Sequence, residues 1–332
     1  MLLTGLLILF FFAILILGHE FGHFIAAKKA GFEVEEFGFG LPPRIFGKKI
    51  KGTIYSINAI PFGGFVKVKG LVPGEGEDMH RLPPAWKRLV VFVAGIFMNF
   101  LIAWVAFSII FLIGIKQTVY VEAVLPGSPA AAAGIKSYDS VRDFETIKEL
   151  TEYIGRNPDK EISLNLSREG KDITARVTPR IDETGKAKIG VALQEGGIEK
   201  QPFFSAIGEG FMRTTETVSY IIQALIHMFT SVDFSGASGP VAVFRAVSVA
   251  ESMGAVYFLQ LLAVVSVNLF VINFLPFPAL DGGHLLFLAI EKIQKRPLSQ
   301  KVVGIINTLG FFILLALMFL ATAKDVVNLI KK

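Results

Sequence analysis

The feature that most restricts the fold of this chain is an unbroken apolar run from Leu6 to Leu17. It leads directly into the motif Gly18-His19-Glu20-Phe21-Gly22-His23. A helix needs about 20 residues to cross the hydrocarbon core of a bilayer, and we predict such a helix over about Leu2 to Ala27. Ionisable side chains at membrane depth are costly and usually functional. Some interaction must therefore stabilise the three ionisable groups of this motif.

The spacing of the two histidines points to a metal ion. His19 and His23 lie four residues apart, so on a helix both imidazoles face the same side. In zinc hydrolases with a His-Glu-x-x-His motif, the Glu beside the first His takes a proton from the attacking water, which would be the role of Glu20. The alternative, two histidines bonded to backbone groups in a helix core, suits a soluble helix better than a spanning one. We therefore expect Zn²⁺ as the cofactor.

The composition also indicates a membrane protein. Of 332 residues, 52% are hydrophobic and only 18% are charged, which is too apolar for an average soluble domain. The absence of cysteine excludes disulfides and thiolate ligands, and we expect no nucleic-acid partner. Further long apolar stretches predict a polytopic α-helical membrane protein with four transmembrane helices, a membrane-associated β-hairpin region and an extracytoplasmic α+β domain. The predicted boundaries are 1–30 for the first transmembrane helix, 31–86 for the cytoplasmic-side β-hairpin and loop region, 87–115 for the second transmembrane helix, 116–196 for the α+β domain, 197–252 for an amphipathic interfacial segment, 253–291 for the third transmembrane helix and 300–328 for the fourth.

The orientation follows from the basic residues. Lys28 and Lys29 close the first span, and many more lysines and arginines follow up to Arg88, which predicts that this side is cytoplasmic. No basic segment precedes the apolar run and no small-residue cleavage site follows it, which argues against a removed signal peptide. We expect the N-terminus and the domain at 116–196 to be extracytoplasmic.

Between residues 32 and 70 the pattern changes to short β-prone pieces, such as Thr53–Ile57 and Phe65–Val68, separated by glycine and proline. These predict hairpins. An edge strand here could pair with an extended substrate and present it to the zinc. An ordinary cytoplasmic hairpin domain explains the same pattern equally well. His80, in the loop that follows, is expected to be solvated.

The third predicted span ends in the stretch from Asn273 to His284, which contains two prolines and two glycines. These residues must break the helix, and the break turns Asp281 toward the bundle interior at the depth of the two histidines. Asp281 is therefore the best third ligand, which leaves a fourth position for water, and His284 is the alternative. Asn273 could donate a hydrogen bond to the oxyanion that forms when water attacks a carbonyl.

Together these residues resemble the site-2 protease family of intramembrane zinc metalloproteases. His19-Glu20-Phe21-Gly22-His23 and Leu280-Asp281-Gly282 look like its two signature motifs. The resemblance implies that Glu20 is the general base and that Asn273 assists the oxyanion. It assigns the metal to His19, His23 and Asp281. Candidate substrate-binding residues are Gly63, Gly64, Phe65, Asn268 and Asn99, although Asn99 also fits a simple interhelical hydrogen bond.

The closer likeness is to bacterial RseP-type members, which place an extracytoplasmic PDZ domain between the second and third spans. Leu125–Ala130 and Ala133-Gly134-Ile135 resemble the start of a bacterial PDZ domain. The family usually continues with a Gly-Asp pair, a strand and an Asn-Gly turn, whereas here Lys136–Val141 passes quickly to a helix over Glu145–Ile154. We expect one shortened PDZ-like domain.

The resemblance implies regulated intramembrane proteolysis in the bacterial inner membrane. The substrates would be single-span membrane proteins such as membrane-anchored regulators, cut after an earlier protease has acted. One rival is a non-proteolytic membrane binding module with a structural metal, and another is a metal transporter. An unligated Glu20 favours hydrolysis, and a transporter would need polar groups along a path, which the second and fourth spans largely lack.

Overall fold

A computed structural model describes residues 2–72, 83–168, 171–182, 185–231, 239–296 and 298–330. His80 lies outside these residues. The chain divides into two compact units, one formed by Met1–Ser108 with Ile207–Lys332 and the other by Ile109–Ala206. The elements in chain order are α1 (Leu2–Lys29), β1 (Val34–Ile50), β2 (Thr53–Val68), α2 (Ala85–Ile113), β3 (Ile115–Val124), α3 (Pro129–Ala132), β4 (Ser140–Val141), α4 (Ile147–Gly155), β5 (Ile162–Arg168), β6 (Lys171–Val177), β7 (Arg180–Ile181), β8 (Ala187–Lys188), β9 (Val191–Ile198), α5 (Phe203–Thr230), α6 (Pro240–Met253), α7 (Ala255–Phe274), α8 (Asp281–Gln294) and α9 (Gln300–Ile330).

Four helices in the described part of the chain are long and apolar enough to cross a membrane, as predicted. They are α1, α2, α7 and α9, and their candidate spans are Thr4–Lys29, Ala85–Ile113, Ala255–Phe274 and Gln300–Val327. The chain is thus a polytopic membrane protein. Much of the apolar surface of these helices faces outward, as expected where lipid is the surrounding solvent.

The helix α1 packs at both of its ends. Near its start, Phe11 and Leu15 are fully buried in a cluster with Val247 of α6 and Leu262 of α7. Near its end, Ala27 is buried in a second cluster that includes residues of β1 and α2. The middle of α1 is therefore held between packed neighbours, and this is where the histidine motif lies.

The strands β1 and β2 are long and fold back on themselves. Residues 34–39 of β1 pair with residues 64–68 of β2 on one side and with residues 54–57 of β2 on the other. Residues 46–50 then pair with the outer side of 53–57. The result is a small mixed sheet whose lanes run in the order 64–68, 34–39, 54–57 and 46–50. The two central lanes are parallel to each other, and each outer lane is antiparallel to its neighbour. Lane 64–68 is an edge, because no strand in the described residues pairs with its other side.

The buried carboxylate of Glu36 stabilises this sheet through hydrogen bonds. Glu36 accepts hydrogen bonds from the Nε and Nη2 atoms of Arg44, and from the hydroxyl of Ser56 at 2.6 Å. The amide of Asn58 donates to the carbonyl groups of Phe39 and Gly40. These bonds join the two central lanes to each other and to the connecting segment at Arg44, so the fold-back does not depend on backbone pairing alone.

The predicted third transmembrane segment, 253–291, contains the helix break that the sequence predicts. The helix α7 ends at Phe274, α8 begins at Asp281, and the intervening residues form turns. Pro276 and Pro278 cannot continue a helix, and Ala279 adopts a left-handed conformation with φ of 70°. The helix α9 supports this break, because Asn307 Oδ1 accepts a hydrogen bond of 3.1 Å from the backbone N–H of Ala279.

The second unit has its own apolar core. Its five-stranded antiparallel sheet has the order β6-β5-β4-β3-β9, and α4 contributes Leu150 and Ile154 to a buried cluster with residues of the sheet. The strand β4, which follows Lys136–Tyr138, has only two residues. Asp139, the residue before this strand, is fully buried and forms an ion pair with Arg168 at 2.7 Å.

Candidate active site

The helix α1 brings the two histidines of the motif together. The Nε2 atoms of His19 and His23 lie 3.2 Å apart, and the ring planes cross at 88°. This follows from the spacing of four residues, which puts the second imidazole one turn below the first. Both side chains are mostly buried, with exposed fractions of 15% and 10%.

Asp281, the first residue of α8, completes the group. Its Oδ2 atom lies 3.1 Å from His19 Nε2 and 3.2 Å from His23 Nε2. The break before α8 sets this position, since Gly282 and Gly283 pack against the carbonyl oxygens of Leu275 and Phe277. A Cβ atom at Gly282 or Gly283 would lie only 2.1 or 2.3 Å from those oxygens. The Asp-Gly-Gly sequence is therefore what lets the carboxylate approach the histidines.

These three residues fit a zinc ion. One donor atom from each lies within 4.8 Å of the others, which allows all three to reach one ion. The Oδ2 atom of Asp281 is buried and has no hydrogen-bond partner in the described residues, although two imidazole nitrogens lie close to it. Binding to one shared ion explains why these three atoms lie so close together. Two imidazole nitrogens and one carboxylate oxygen form a donor set of catalytic zinc sites.

His284, the alternative third ligand, is not one of the three converging residues. Its ring stacks on Phe92 of α2, with 4.7 Å between the ring centroids and an angle of 8° between the planes. Residues three apart lie only about 60° apart around a helix, so the spacing alone does not exclude His284. What separates the two candidates is the packing of the His284 ring against Phe92.

The helix α2 packs against the metal-binding histidines of α1. His23 Nδ1 lies 2.8 Å from the carbonyl oxygen of Val91. Next to it, Gly95 lies so close to the His23 ring that a Cβ atom at this position would be 2.2 Å from Cε1 and Nε2. A Cβ atom at Gly22 would lie 2.4 Å from the carbonyl oxygen of Ala94. The two glycines therefore permit the close crossing of α1 and α2 that buries the metal ligands.

A pocket of about 340 Å³ opens onto this group. Besides the three ligand candidates, its lining includes Glu20, Asn273, His284, Phe65 and Val66. The edge lane 64–68 forms one wall, and a Cβ atom at Gly64 would lie 3.2 Å from Glu20 Cγ. The structure thus brings the predicted base, the predicted oxyanion donor and a free strand edge to one cavity.

Of the five predicted substrate-binding residues, Phe65 lines this pocket and the other four do not, although Gly64 lies next to Glu20. Gly63 has φ of 130° and lies against Leu41, where the chain turns into the edge lane. Asn268 is exposed on α7, because it precedes Asn273 by five residues and so points about 140° away around the helix. Asn99 is fully buried and its amide Nδ2 lies 3.2 Å from His19 Nδ1, on the side away from the pocket.

Two supporting contacts escaped the sequence analysis. Arg88 of α2 forms a buried ion pair of 2.5 Å with Glu291 of α8, and Asn307 of α9 bonds the break before Asp281. An arginine within a predicted span was a usable signal, because buried charges are almost always paired. The identity of its partner, 203 residues later in the chain, could not be read from the sequence.

Comparison with known proteins decides the family. The model of peptidase family M50 matches residues 7–317. The chain belongs to peptidase family M50. This is the site-2 protease family of zinc metalloproteases, so the resemblance seen in the sequence is confirmed. M50 membership and four apolar helices together make this protein a membrane-embedded zinc metalloprotease.

The M50 relatives match over nearly their whole length. The zinc metalloprotease RasP of Oceanobacillus iheyensis is 29% identical, with 96% of this chain and 97% of that protein covered. A Clostridium perfringens protein that bears the name of a zinc metalloprotease is 34% identical, with coverages of 95% and 96%. An Enterococcus faecalis protein named as the protease Eep is 28% identical, with coverages of 95% and 96%. Among solved structures, the PDZ domain of an SdrC-like protein from Listeria innocua overlaps with a TM-score of 0.21 and 23% identity, over 23% of this chain and 93% of that domain.

Proposed function

We propose that this M50 protease hydrolyses a peptide bond within or beside the transmembrane segment of a single-span membrane protein, as in regulated intramembrane proteolysis. The observation that carries the proposal is the position of the base and the ligand group. Glu20, His19 and His23 lie inside the candidate span Thr4–Lys29, on a helix packed between other apolar helices. A substrate that reaches Glu20 must therefore come to the membrane-embedded part of the molecule.

The assigned roles follow from chemistry. His19, His23 and Asp281 would hold zinc, which when bound polarises the attacking water and the scissile carbonyl. Glu20 lines the same pocket but does not belong to the ligand group, so its carboxylate is free to accept the proton of the attacking water. Asn273 lines the pocket from α7, where its amide N–H can donate to the oxygen that gains negative charge.

The edge lane 64–68 supplies a way to hold the substrate. A peptide bond inside a helix is shielded by its own turns, so the substrate segment must be extended at the point of cleavage. An extended segment can add to a free strand edge through backbone hydrogen bonds. Phe65 and Val66 of this lane line the catalytic pocket, which puts such a segment next to Glu20.

The proposal includes an orientation, with the N-terminus and the PDZ-like domain extracytoplasmic and the active site toward the cytoplasm of a bacterial inner membrane. The basic residues after α1 support it. Because the chain has no cysteine, single substitutions such as Lys51→Cys and Lys171→Cys give a clean test in intact cells. A membrane-impermeant maleimide should label the cysteine at position 171 and not that at position 51, and the reverse pattern would refute the orientation.

The decisive test of the function is Glu20→Gln in the full-length protein, co-expressed with a single-span substrate. We expect cleavage to fall by at least about 100-fold, since a general base contributes 10²–10⁴-fold, while the zinc content stays unchanged. Glu33→Gln is the matched control, because Glu33 is an exposed carboxylate whose ion pair is with Lys69, at 3.3 Å. Normal cleavage by the Glu20→Gln variant would refute the mechanism. Wild-type cleavage of soluble peptides but not of membrane-embedded segments would refute the substrate class.

A further inference from the structure

Asn99 is a buried polar residue whose role the hydrolytic mechanism does not explain. It lies on α2 with none of its surface exposed, and its amide faces His19 Nδ1 at 3.2 Å. The other end of the amide, Oδ1, is also buried and has no hydrogen-bond partner in the described part of the chain. Ser266 of α7 donates to the backbone carbonyl of Asn99 at 2.8 Å, which fixes this part of α2 against α7.

The metal-binding geometry determines which atom of Asn99 should face His19. Nε2 of His19 is the atom that converges with Asp281, so it must be free of a proton to bind zinc. A neutral His19 then carries its proton on Nδ1, which needs an acceptor. An amide N–H pointing at this atom would put two donors face to face. The nitrogen and oxygen of an amide have nearly the same shape, and a half-turn of the side chain puts Oδ1 opposite Nδ1.

With the amide turned in this way, both histidines are held alike. His19 donates from Nδ1 to Asn99 Oδ1, and His23 donates from Nδ1 to the carbonyl oxygen of Val91, 2.8 Å away. Val91, Gly95 and Asn99 are spaced by four residues, so they lie on one face of α2. That face supplies an acceptor for each histidine, with a glycine between them to allow the approach.

We infer that Asn99 is a positioning residue of the zinc site, which keeps the proton of His19 on Nδ1 and so presents Nε2 to the ion. It replaces the expectation that Asn99 binds substrate. The inference rests on the zinc site and not on the substrate proposed above. Groups that hold a ligating histidine in this way typically change metal affinity by about 10- to 100-fold when they are removed.

The test measures zinc affinity in the purified full-length protein by competition with a chromophoric chelator. All variants carry Glu20→Gln, so proteolysis does not enter the readout. Asn99→Leu removes the acceptor at similar volume and should weaken zinc binding by about 10- to 100-fold. Asn99→Asp keeps an acceptor and should bind zinc at least as tightly as the parent. Gln260→Leu, which changes an exposed amide on α7, is the control and should leave affinity unchanged.

A second readout separates positioning from packing. The visible spectrum of the Co²⁺-loaded protein reports ligand geometry, and it should change in Asn99→Leu but not in Asn99→Asp, at unchanged thermal unfolding temperature. The inference is overturned if Asn99→Leu binds zinc within twofold of the parent, or if both variants lose affinity equally. If Asn99→Leu weakens zinc binding but the wild-type protein cleaves no membrane-embedded substrate, the inference stands and the proposed substrate class falls.

Discussion

Gly95 leaves no space for even a methyl group beside His23, and this makes Gly95→Ala a sharp test of the site. The added carbon would lie 2.2 Å from Cε1 and Nε2 of the ring, whereas ordinary contacts begin at 3.4 Å. The ring or the helix must therefore move by about 1.2 Å, the difference between these two distances. Zinc ligands tolerate displacements of only about 0.2 Å.

Neither way of making this space preserves the metal site. If the His23 ring moves, Nε2 leaves the point where it converges with His19 and Asp281. If α2 moves away instead, the carbonyl of Val91 loses its bond of 2.8 Å to His23 Nδ1. In the metal-free variant the ring can turn away from the added carbon, so the overpacking arises only when zinc draws the ring back, at a cost of about 1–3 kcal/mol. At 1.4 kcal/mol per factor of ten, zinc affinity should fall by about 5- to 150-fold.

The assay is a chelator titration of the purified variant, followed by measurement of its thermal unfolding without metal. Gly304→Ala is the control, since a Cβ atom there meets nothing within 4 Å. Both substitutions replace a helical glycine and should favour the helix by about 0.5–1 kcal/mol. We therefore expect Gly95→Ala to lose zinc affinity without a matching loss of metal-free stability. If Gly95→Ala binds zinc as tightly as Gly304→Ala, the close crossing described above is wrong.

Two further predictions concern buried charges. Glu291→Gln should lower the free energy of unfolding by about 3–5 kcal/mol, because it leaves the charge of Arg88 buried and unpaired. Thermal unfolding measures this loss. The double variant Arg88→Met with Glu291→Leu should recover most of it. In the second unit, burial raises the pKa of Asp139, but hydrogen bonds from Arg168 and the Lys136 N–H outweigh it and hold that pKa below its ordinary value. The ionised carboxylate therefore stabilises the fold above about pH 4 and this stabilisation is lost as the pH falls through the lowered pKa. Hydrogen exchange of residues 109–206 in the full protein should show the loss, and Asp139→Asn should remove that pH dependence; an unchanged pH profile would contradict it.

Local sequence was enough to predict the parts of the site that depend on helix periodicity and on helix-breaking residues. The spacing of His19 and His23 fixes their common face whatever the helix packs against. Two prolines before Asp281 dictate a break, and a break near the depth of the histidines left few other carboxylates to consider. These inferences hold because backbone geometry alone imposes them.

The remaining features depend on contacts between residues distant in sequence. Whether Asn99 faces substrate or a histidine depends on how α2 is rotated against α1, which the apolar surroundings of both helices leave undetermined. The lanes of β1 and β2 are similarly ambiguous, since residues 34–39 pair with two different parts of β2. Asn268 does not line the pocket, because the separation of five residues between it and Asn273 turns its side chain to another side of the helix, and a motif resemblance does not predict that direction.

The contact between α9 and the break before α8 has a consequence for protein engineering. The helix α9 carries no ligand candidate, yet Asn307 bonds the backbone of Ala279, and Gly310 lies so close to Pro278 that a Cβ atom would be 2.6 Å from its side chain. A designer who transplanted only the two ligand-bearing segments into another helical bundle would remove the contacts from α9 that support the loop before Asp281. The smallest transferable unit of this zinc site therefore includes a helix that never touches the metal.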